Sequence, residues 1–526
     1  MALFIQMYFA SLVVYFLCVV AEVAMASPAR LPHIIFVVID DLGSGDLGRS
    51  HSGIHTPNMD RLSSEGIYLD NYYVLPYCSP TRATFMTGRY PLHTGCHTII
   101  QDYDTQGIPL DEQLLPQVLR EVGYRAHAVG KWHLGHARHE QTPTFRGFES
   151  YLGFLHGHSD YYTHIKKGPV GDGYEMRRDN REFCGPGCTT MVDERGNYST
   201  HVFTREAIRI IEDHHEQHKD GNTPLFLYLA HQAVHYPDEV PSEYVEKYLN
   251  RSDWTNQRKV YAGMLSAADE SIANVTEALK ANGMWENTIL IGTTDNGGPT
   301  DICMVQGSSN GNRRGGKCTV WEGGTTGDAF VVGPALESVY GISPSQVYSG
   351  LFHAVDWLST LANMTGAVPM GKPLDGVNHL SQWQRKEKLP AREELFIGYA
   401  EFHGNWYGPS IKWKDWKLLQ GTSGGPESAT GPIPEGSDHP DEGGSKSAYY
   451  LLFDLKADPE ERHDVSQEHP IIVQLLKEKL AQYHESFVPP IPNDPNCPFP
   501  GLHNTSTFGP TWMPWCEGAS EVVFST

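Results

Sequence analysis

The chain has 526 residues, enough for a large core and more than one domain. A hydrophobic content of 40% and 52 glycines suit a globular α/β enzyme with many loops. Sixty-three acidic residues against 40 basic ones leave a charge of −23, which argues against nucleic acid as a partner, because phosphate binding needs a basic face.

Residues 1–26 read as a signal peptide. Met7 to Val20 are almost all apolar, and Ala24, Met25 and Ala26 form a small-x-small cleavage site before Ser27. The run lacks a basic flank and approaches the length of a membrane anchor, but the cleavage site favours removal. No later stretch is long and apolar enough to span a bilayer.

Four apolar runs of strand length then end at polar residues. His33 to Ile39 lead to Asp40 and Asp41. Arg125 to Gly130 lead to Lys131 and His133. Leu225 to Ala230 lead to His231 and His235, and Thr288 to Thr294 lead to Asp295 and Asn296. Continuous aliphatic runs suit strands buried on both faces of a mostly parallel sheet. Helical stretches alternate with them. Thr56 and Pro57 open one that stops at Gly66. Another covers Cys78 to Thr87, a third Leu110 to Glu121, and a fourth Gln257 to Ala281. In open α/β sheets, ligands bind beyond the carboxyl ends of the strands. Four strands delivering carboxylates, a lysine and histidines to one edge therefore predict a site there. Asp40, Asp41, Asp295 and Asn296 offer only oxygen, which suits a hard cation, Ca²⁺ or Mg²⁺.

A second region begins near Pro390. Trp413 to Gln420 and Tyr449 to Leu455 read as strands, and Pro470 to Tyr483 as a helix. The Gly-, Pro- and Ser-rich acidic stretch 421–447 reads as a long flexible loop. The expected division is a catalytic domain over 27–389 and a smaller α+β domain with an antiparallel sheet over 390–526.

Nine cysteines and five Asn-x-Ser/Thr sites, at Asn197, Asn250, Asn274, Asn363 and Asn504, fit a glycosylated protein of the secretory pathway, lysosomal or extracellular. Proximity suggests the pairs Cys184–Cys188, Cys303–Cys318 and Cys497–Cys516, although spacing does not determine connectivity. With Cys18 in the signal peptide and Cys78 in a motif of its own, Cys96 is then the odd thiol.

Cys78, Pro80 and Arg82 form a C-x-P-x-R pattern within Cys78 to Gly88. This segment resembles the first signature of the sulfatase family. Gly123 to Gly135, holding Lys131 and His133, resembles the second, with Ala126 where Ser or Thr is usual. Lys317, between Gly316 and Trp321, also follows the family manner. From Pro32 to about His484 the chain is similar to the arylsulfatase B (N-acetylgalactosamine-4-sulfatase) group. It departs at Gln101 to Gly107, which lacks paired cysteines of that group.

The resemblance implies an alkaline-phosphatase-like α/β sandwich and hydrolysis of sulfate esters, of sulfated sugars or glycosaminoglycans and of aryl sulfates in vitro. It implies that a formylglycine-generating enzyme converts Cys78 to Cα-formylglycine, whose hydrate is the nucleophile. It implies one Ca²⁺, rather than Mg²⁺, on Asp40, Asp41, Asp295, Asn296 and the residue-78 oxygen. Arg82, Lys131 and Lys317 would hold the nucleophile and the sulfate. His235 would protonate the leaving oxygen, and His133 would serve the second hydroxyl. A divalent ion and three cationic side chains outweigh three aspartates by two charges, so the site welcomes an anion despite the acidic chain. The other classes open to this sequence are a metal-dependent phosphatase or phosphodiesterase on the same architecture, and a catalytically silent binding protein.

Overall fold

Runs too apolar to face water on either side become the middle of a ten-stranded sheet. The computed structural model describes residues 30–516, except 188, 301–302, 305, 403–404, 422–449 and 499. The expected signal peptide, nearly all of loop 421–447 and the Cys184–Cys188 pair therefore lie outside the described residues.

In spatial order the strands are Gln346–Tyr348, Ile67–Leu69, Ala329–Val332, Thr288–Thr294, His33–Ile39, Leu225–His231, Arg125–Lys131, Ser150–Phe154, Arg177–Asn180 and Thr189–Met191. From Thr288–Thr294 to Ser150–Phe154 every pairing is parallel. Antiparallel pairings appear towards both edges, so the sheet is mixed, with a parallel centre.

The three innermost strands are buried along their whole length. Their side chains alternate between two cores. Ile34, Phe36 and Val38 meet Ala83, Phe85, Val118 and Leu361 on one face. Ile35, Val37 and Ile39 meet Met59, Leu62, Val202 and Leu265 on the other. Each such apolar side chain contributes about 1.5–3 kcal/mol on full burial, which is why aliphatic residues dominate these runs.

Helix boundaries follow local signals. Pro57–Glu65 stops at Gly66, and Asn256–Ala281 begins at a Thr255 side-chain cap. The expected helix over 110–121 is shorter, Leu115–Arg120, because Pro116 fits only in a first turn.

The C-terminal region carries the expected antiparallel sheet, in order Glu394–Phe402, Asn405–Trp413, Trp416–Gln420 and Tyr450–Asp454. The run expected as one strand over 413–420 is a hairpin turn plus its second strand, with Lys414 at φ +55°. Helix Pro470–Glu485 packs on one face through Leu476 and Leu480. The other face sets Leu395, Ile397 and Phe453 against Tyr77, Val320 and Trp321. That contact braces the two segments carrying Cys78 and Lys317. Beyond the helix, His503–Thr505 and Gly509–Thr511 return to join Gly171–Tyr174.

No helix among the described residues is long and apolar enough to cross a membrane. Cys303–Cys318 and Cys497–Cys516 are disulfides, and Cys96 is a buried free thiol. The asparagines of all five sequons are exposed.

Candidate functional site

Strand register builds the site. Ile39 stands opposite both His231 and Thr294 in the parallel ladder, and Gly130 stands opposite Ala230. The residues that follow these strand ends reach the same edge at the same height. Asp40, Asp41, Asp295 and Asn296 are fully buried there. Helix Cys78–Thr87 starts above them, and the Cys78 sulfur lies 3.7 Å from Asp40 Oδ1. Single ligand atoms of Asp40, Asp41, Cys78 and Asp295 lie within 4.8 Å of one another.

Three buried cations face the three aspartates. Lys131 Nζ donates to Asp40 Oδ2 at 2.6 Å, and Lys317 Nζ to Asp41 Oδ1 at 2.6 Å. Arg82 Nε donates to Asp295 Oδ2 at 2.8 Å, and its Nη2 lies 3.6 Å from Asp40 Oδ2. Burial opposes the charges of Arg82 and Lys317, but the carboxylates outweigh it and raise both pKa values. Burial raises Asp295, and Asp40 adds to the rise against the pull of Arg82. Burial also pushes the Cys78 thiol up to about 12, against the pull of Lys131 and Lys317.

The donor set fits a hard cation. Asp41 Oδ2 and Asn296 Oδ1 are buried and have no hydrogen-bond partner. The rest of each group is fixed, since Asn296 Nδ2 donates to Asp41 Oδ1 at 2.7 Å. A buried orphan oxygen is costly, and two of them beside Asp40 and Asp295 suit an oxygen-ligated ion.

The histidines separate by their partners. His235 Nδ1 donates to Tyr236 O at 2.8 Å, and Nε2 lies 3.7 Å from Asp41 Oδ2. His133 Nε2 donates to Ile100 O at 3.0 Å, leaving a buried Nδ1 without a partner. Burial, with Lys317 and Lys131 around His235 and Lys131 beside His133, holds both well below the usual imidazole range. His231 instead bonds Ser271 Oγ at 2.9 Å, in the core behind the edge. The structure thus gathers Asp40, Asp41, Cys78, Arg82, Lys131, His133, His235, Asp295, Asn296 and Lys317 in one place.

His158 is a residue that sequence reasoning missed. Its ring stacks on His235 with centroids 5.5 Å apart. Lys166, buried and paired with Asp102 at 3.0 Å, is the foremost charge acting on it. His158 lies four residues beyond the strand Ser150–Phe154, as His235 does beyond Leu225–His231, a spacing that could have marked it, whereas Lys166, on the short strand Ile165–Gly168, carried no such signal.

A family model described as Sulfatase matches residues 32–367. Arylsulfatase J of Mus musculus is 38% identical over 511 residues, covering 92% of this chain and 80% of that protein. N-acetylgalactosamine-6-sulfatase of Homo sapiens is 32% identical over 363 residues, covering 66% of this chain and 65% of that protein. The crystal structure of Ps i-CgsB in complex with k-i-k-neocarrahexaose superposes with a TM-score of 0.72 at 26% identity, covering 88% of this chain and 94% of that one. These likenesses bear out the alkaline-phosphatase-like fold and do not specifically support the finer resemblance to arylsulfatase B.

Proposed function

The chain belongs to the sulfatase family and is a sulfuric ester hydrolase, and from that premise we propose that it hydrolyses sulfate esters of sugars through formylglycine at position 78 and one bound cation. The observation that carries the reading is the convergence of Cys78, three aspartates and three buried cations at one strand edge. The names of the N-acetylgalactosamine-6-sulfatase and of the neocarrahexaose complex support a sugar as the alcohol.

Asp40, Asp41, Asp295 and Asn296 would hold the cation, Ca²⁺ in our reading. The cation would supply Lewis acidity, and formylglycine a hydrated aldehyde oxygen as nucleophile. The chain's own groups do the rest. Lys131 and Lys317 turn from their aspartates to the sulfate oxygens, where their charge counts most as the ester bond breaks. Arg82 stays on Asp295 and holds the residue-78 helix in place. Helix Cys78–Thr87 also points its free N–H groups at the anion. His235, fixed through Nδ1, presents Nε2 to the site, and the negative charge of a bound ester favours its proton. That proton goes to the departing alkoxide. His133 keeps its Nδ1 lone pair for a proton from position 78 once the alcohol has left.

The catalytic unit in this reading is 27–389, braced by 390–526. Disulfides and exposed sequons support maturation in the secretory pathway, where a formylglycine-generating enzyme would act, with a lysosomal or extracellular destination. Peptide mass spectrometry of active secreted protein should show residue 78 as the aldehyde. A panel of sulfated sugars, aryl sulfates and matched phosphate esters should show turnover of the sulfates. Unmodified Cys78 in active enzyme, or preference for phosphate, would overturn the proposal.

A further inference from the structure

A cavity lined by charges of both signs lies away from the site just described. It measures about 230 Å³ and opens between the segment that carries Lys317 and the C-terminal antiparallel sheet. Its charged lining is Asp70, Arg313, Glu322, Lys412, Asp415 and Lys456.

Lys412 is its unusual member. It stands directly opposite Lys417 in the sheet, and both side chains are buried. Like charges so placed repel, and each needs its own compensation. Lys417 has it, 3.0 Å from Glu322 and 2.7 Å from Glu461. Lys412 does not. It is 5% exposed, yet no described residue accepts a hydrogen bond from its ammonium, which lies 5.3 Å from the Tyr73 ring centre.

The carboxylate nearest to hand is already used. Glu322 Oε1 is held by Lys417, and Oε2 accepts from Tyr73 at 2.6 Å. Arg313 bonds the Ser44 hydroxyl at 3.1 Å and pairs with no carboxylate among the described residues. Asp70 and Asp415 are exposed at the rim. A largely buried cation without a protein acceptor is costly, and burial accordingly lowers the Lys412 pKa, with Lys417 adding to the effect and Glu322, Asp415 and Glu461 opposing it. Such an ammonium, facing a cavity that opens to solvent, can take an acceptor from outside.

The geometry points to a second anion site, in which Lys412 from the C-terminal sheet and Arg313 from the facing segment bind a small oxyanion carrying sulfate chemistry. The size argues for inorganic sulfate or a single sulfated sugar, since sites for larger organic ligands run to about 300–1,000 Å³. Lys317 lies between Arg313 and Glu322 in sequence, so an occupant would bridge the C-terminal sheet to the segment that carries a lysine of the first site. The inference does not depend on the catalytic role of that site.

Lys412 itself is the probe. Reductive methylation with formaldehyde, followed by peptide mass spectrometry, reads how open its amine is. The full-length protein is labelled in sodium chloride, in sodium sulfate at equal ionic strength, and with a sulfated monosaccharide. In chloride Lys412 should react. At an anion concentration about ten times Kd, its rate should fall about tenfold, because only the free fraction reacts. Exposed Lys414 should be unaffected. Protection by sulfate alone assigns the free anion, and protection that needs the sugar assigns a saccharide. No labelling in chloride, no protection by either anion, or equal protection of Lys414 would overturn the inference. Radiolabelled sulfate gives an independent count, in which Lys412→Met should bind one anion fewer per chain than wild type and retain turnover. An unchanged count in a folded variant would also overturn it.

Discussion

Lys317→Met tests separately the proposed sulfate contact of Lys317 and the proposed cation at Asp41. Lys317 is 2% exposed, with its ammonium 2.6 Å from Asp41 Oδ1. The same oxygen accepts from Asn296 at 2.7 Å, while Asp41 Oδ2 has no hydrogen-bond partner. Methionine keeps most of the stem and removes the charge. Breaking a buried ion pair by deleting one partner costs about 3–5 kcal/mol, because the other charge is stranded. A divalent ion on Asp41 would replace the missing positive charge. Metal-free variant should therefore lose that full amount against metal-free wild type, and the calcium-loaded pair should differ by much less. Urea unfolding of both proteins, in chelator and in calcium, reads the four corners of this cycle. Turnover should fall about tenfold or more whatever the cation, since a charge-assisted contact of about 1.5–3 kcal/mol is gone. Equal stability losses with and without calcium would refute a cation at Asp41. Unchanged kcat/KM would remove Lys317 from the sulfate.

His235→Ala should damage a sulfated sugar far more than nitrophenyl sulfate, by about 10²–10⁴-fold on the sugar, because only the basic alkoxide needs a proton. Equal losses in single-turnover assays would make His235 a sulfate-positioning group. Cys78→Ala should abolish turnover while secretion persists, and secreted activity surviving the change would end the formylglycine reading. Elemental analysis of active protein should find one divalent ion per chain, and two zinc ions would favour phosphoester chemistry. Acid should destabilise the fold through histidines at the opposite end of the sheet. Burial lowers His33 and His127 from 6.5 to about 3. The unfolded chain thus binds more protons below 6.5, and stability present above that pH is lost as pH falls towards about 3. Each contributes a slope of about 1.4 kcal/mol per pH unit in that window. His33→Asn keeps an acceptor for the Leu225 N–H, which His33 Nδ1 now binds at 3.0 Å, and should flatten the slope by one such increment. An unchanged slope would show that His33 already carries its proton in the fold.

Much of the site was legible because its signals are local. An apolar run such as His33 to Ile39 has to end where its burial ends, so the acids after it mark a strand edge without any knowledge of neighbours. Cys78, Pro80 and Arg82 are likewise readable from spacing within one helical turn. Other properties depend on partners distant in sequence. His231 and His235 look alike in the chain. Only the fold puts the first against Ser271 and the second beside Asp41. The antiparallel margins of the central sheet arise from short strands, such as Ile67–Leu69, whose pairing is set by packing rather than by their own pattern. Lys412 and Lys417 are equivalent charges on paper. Register sets them face to face, and two glutamates from separate segments satisfy one and leave the other to the cavity. Sequence determines which faces each element must bury. The tertiary structure alone decides which charges find partners there, because burial makes that choice through contacts between residues tens to hundreds of positions apart.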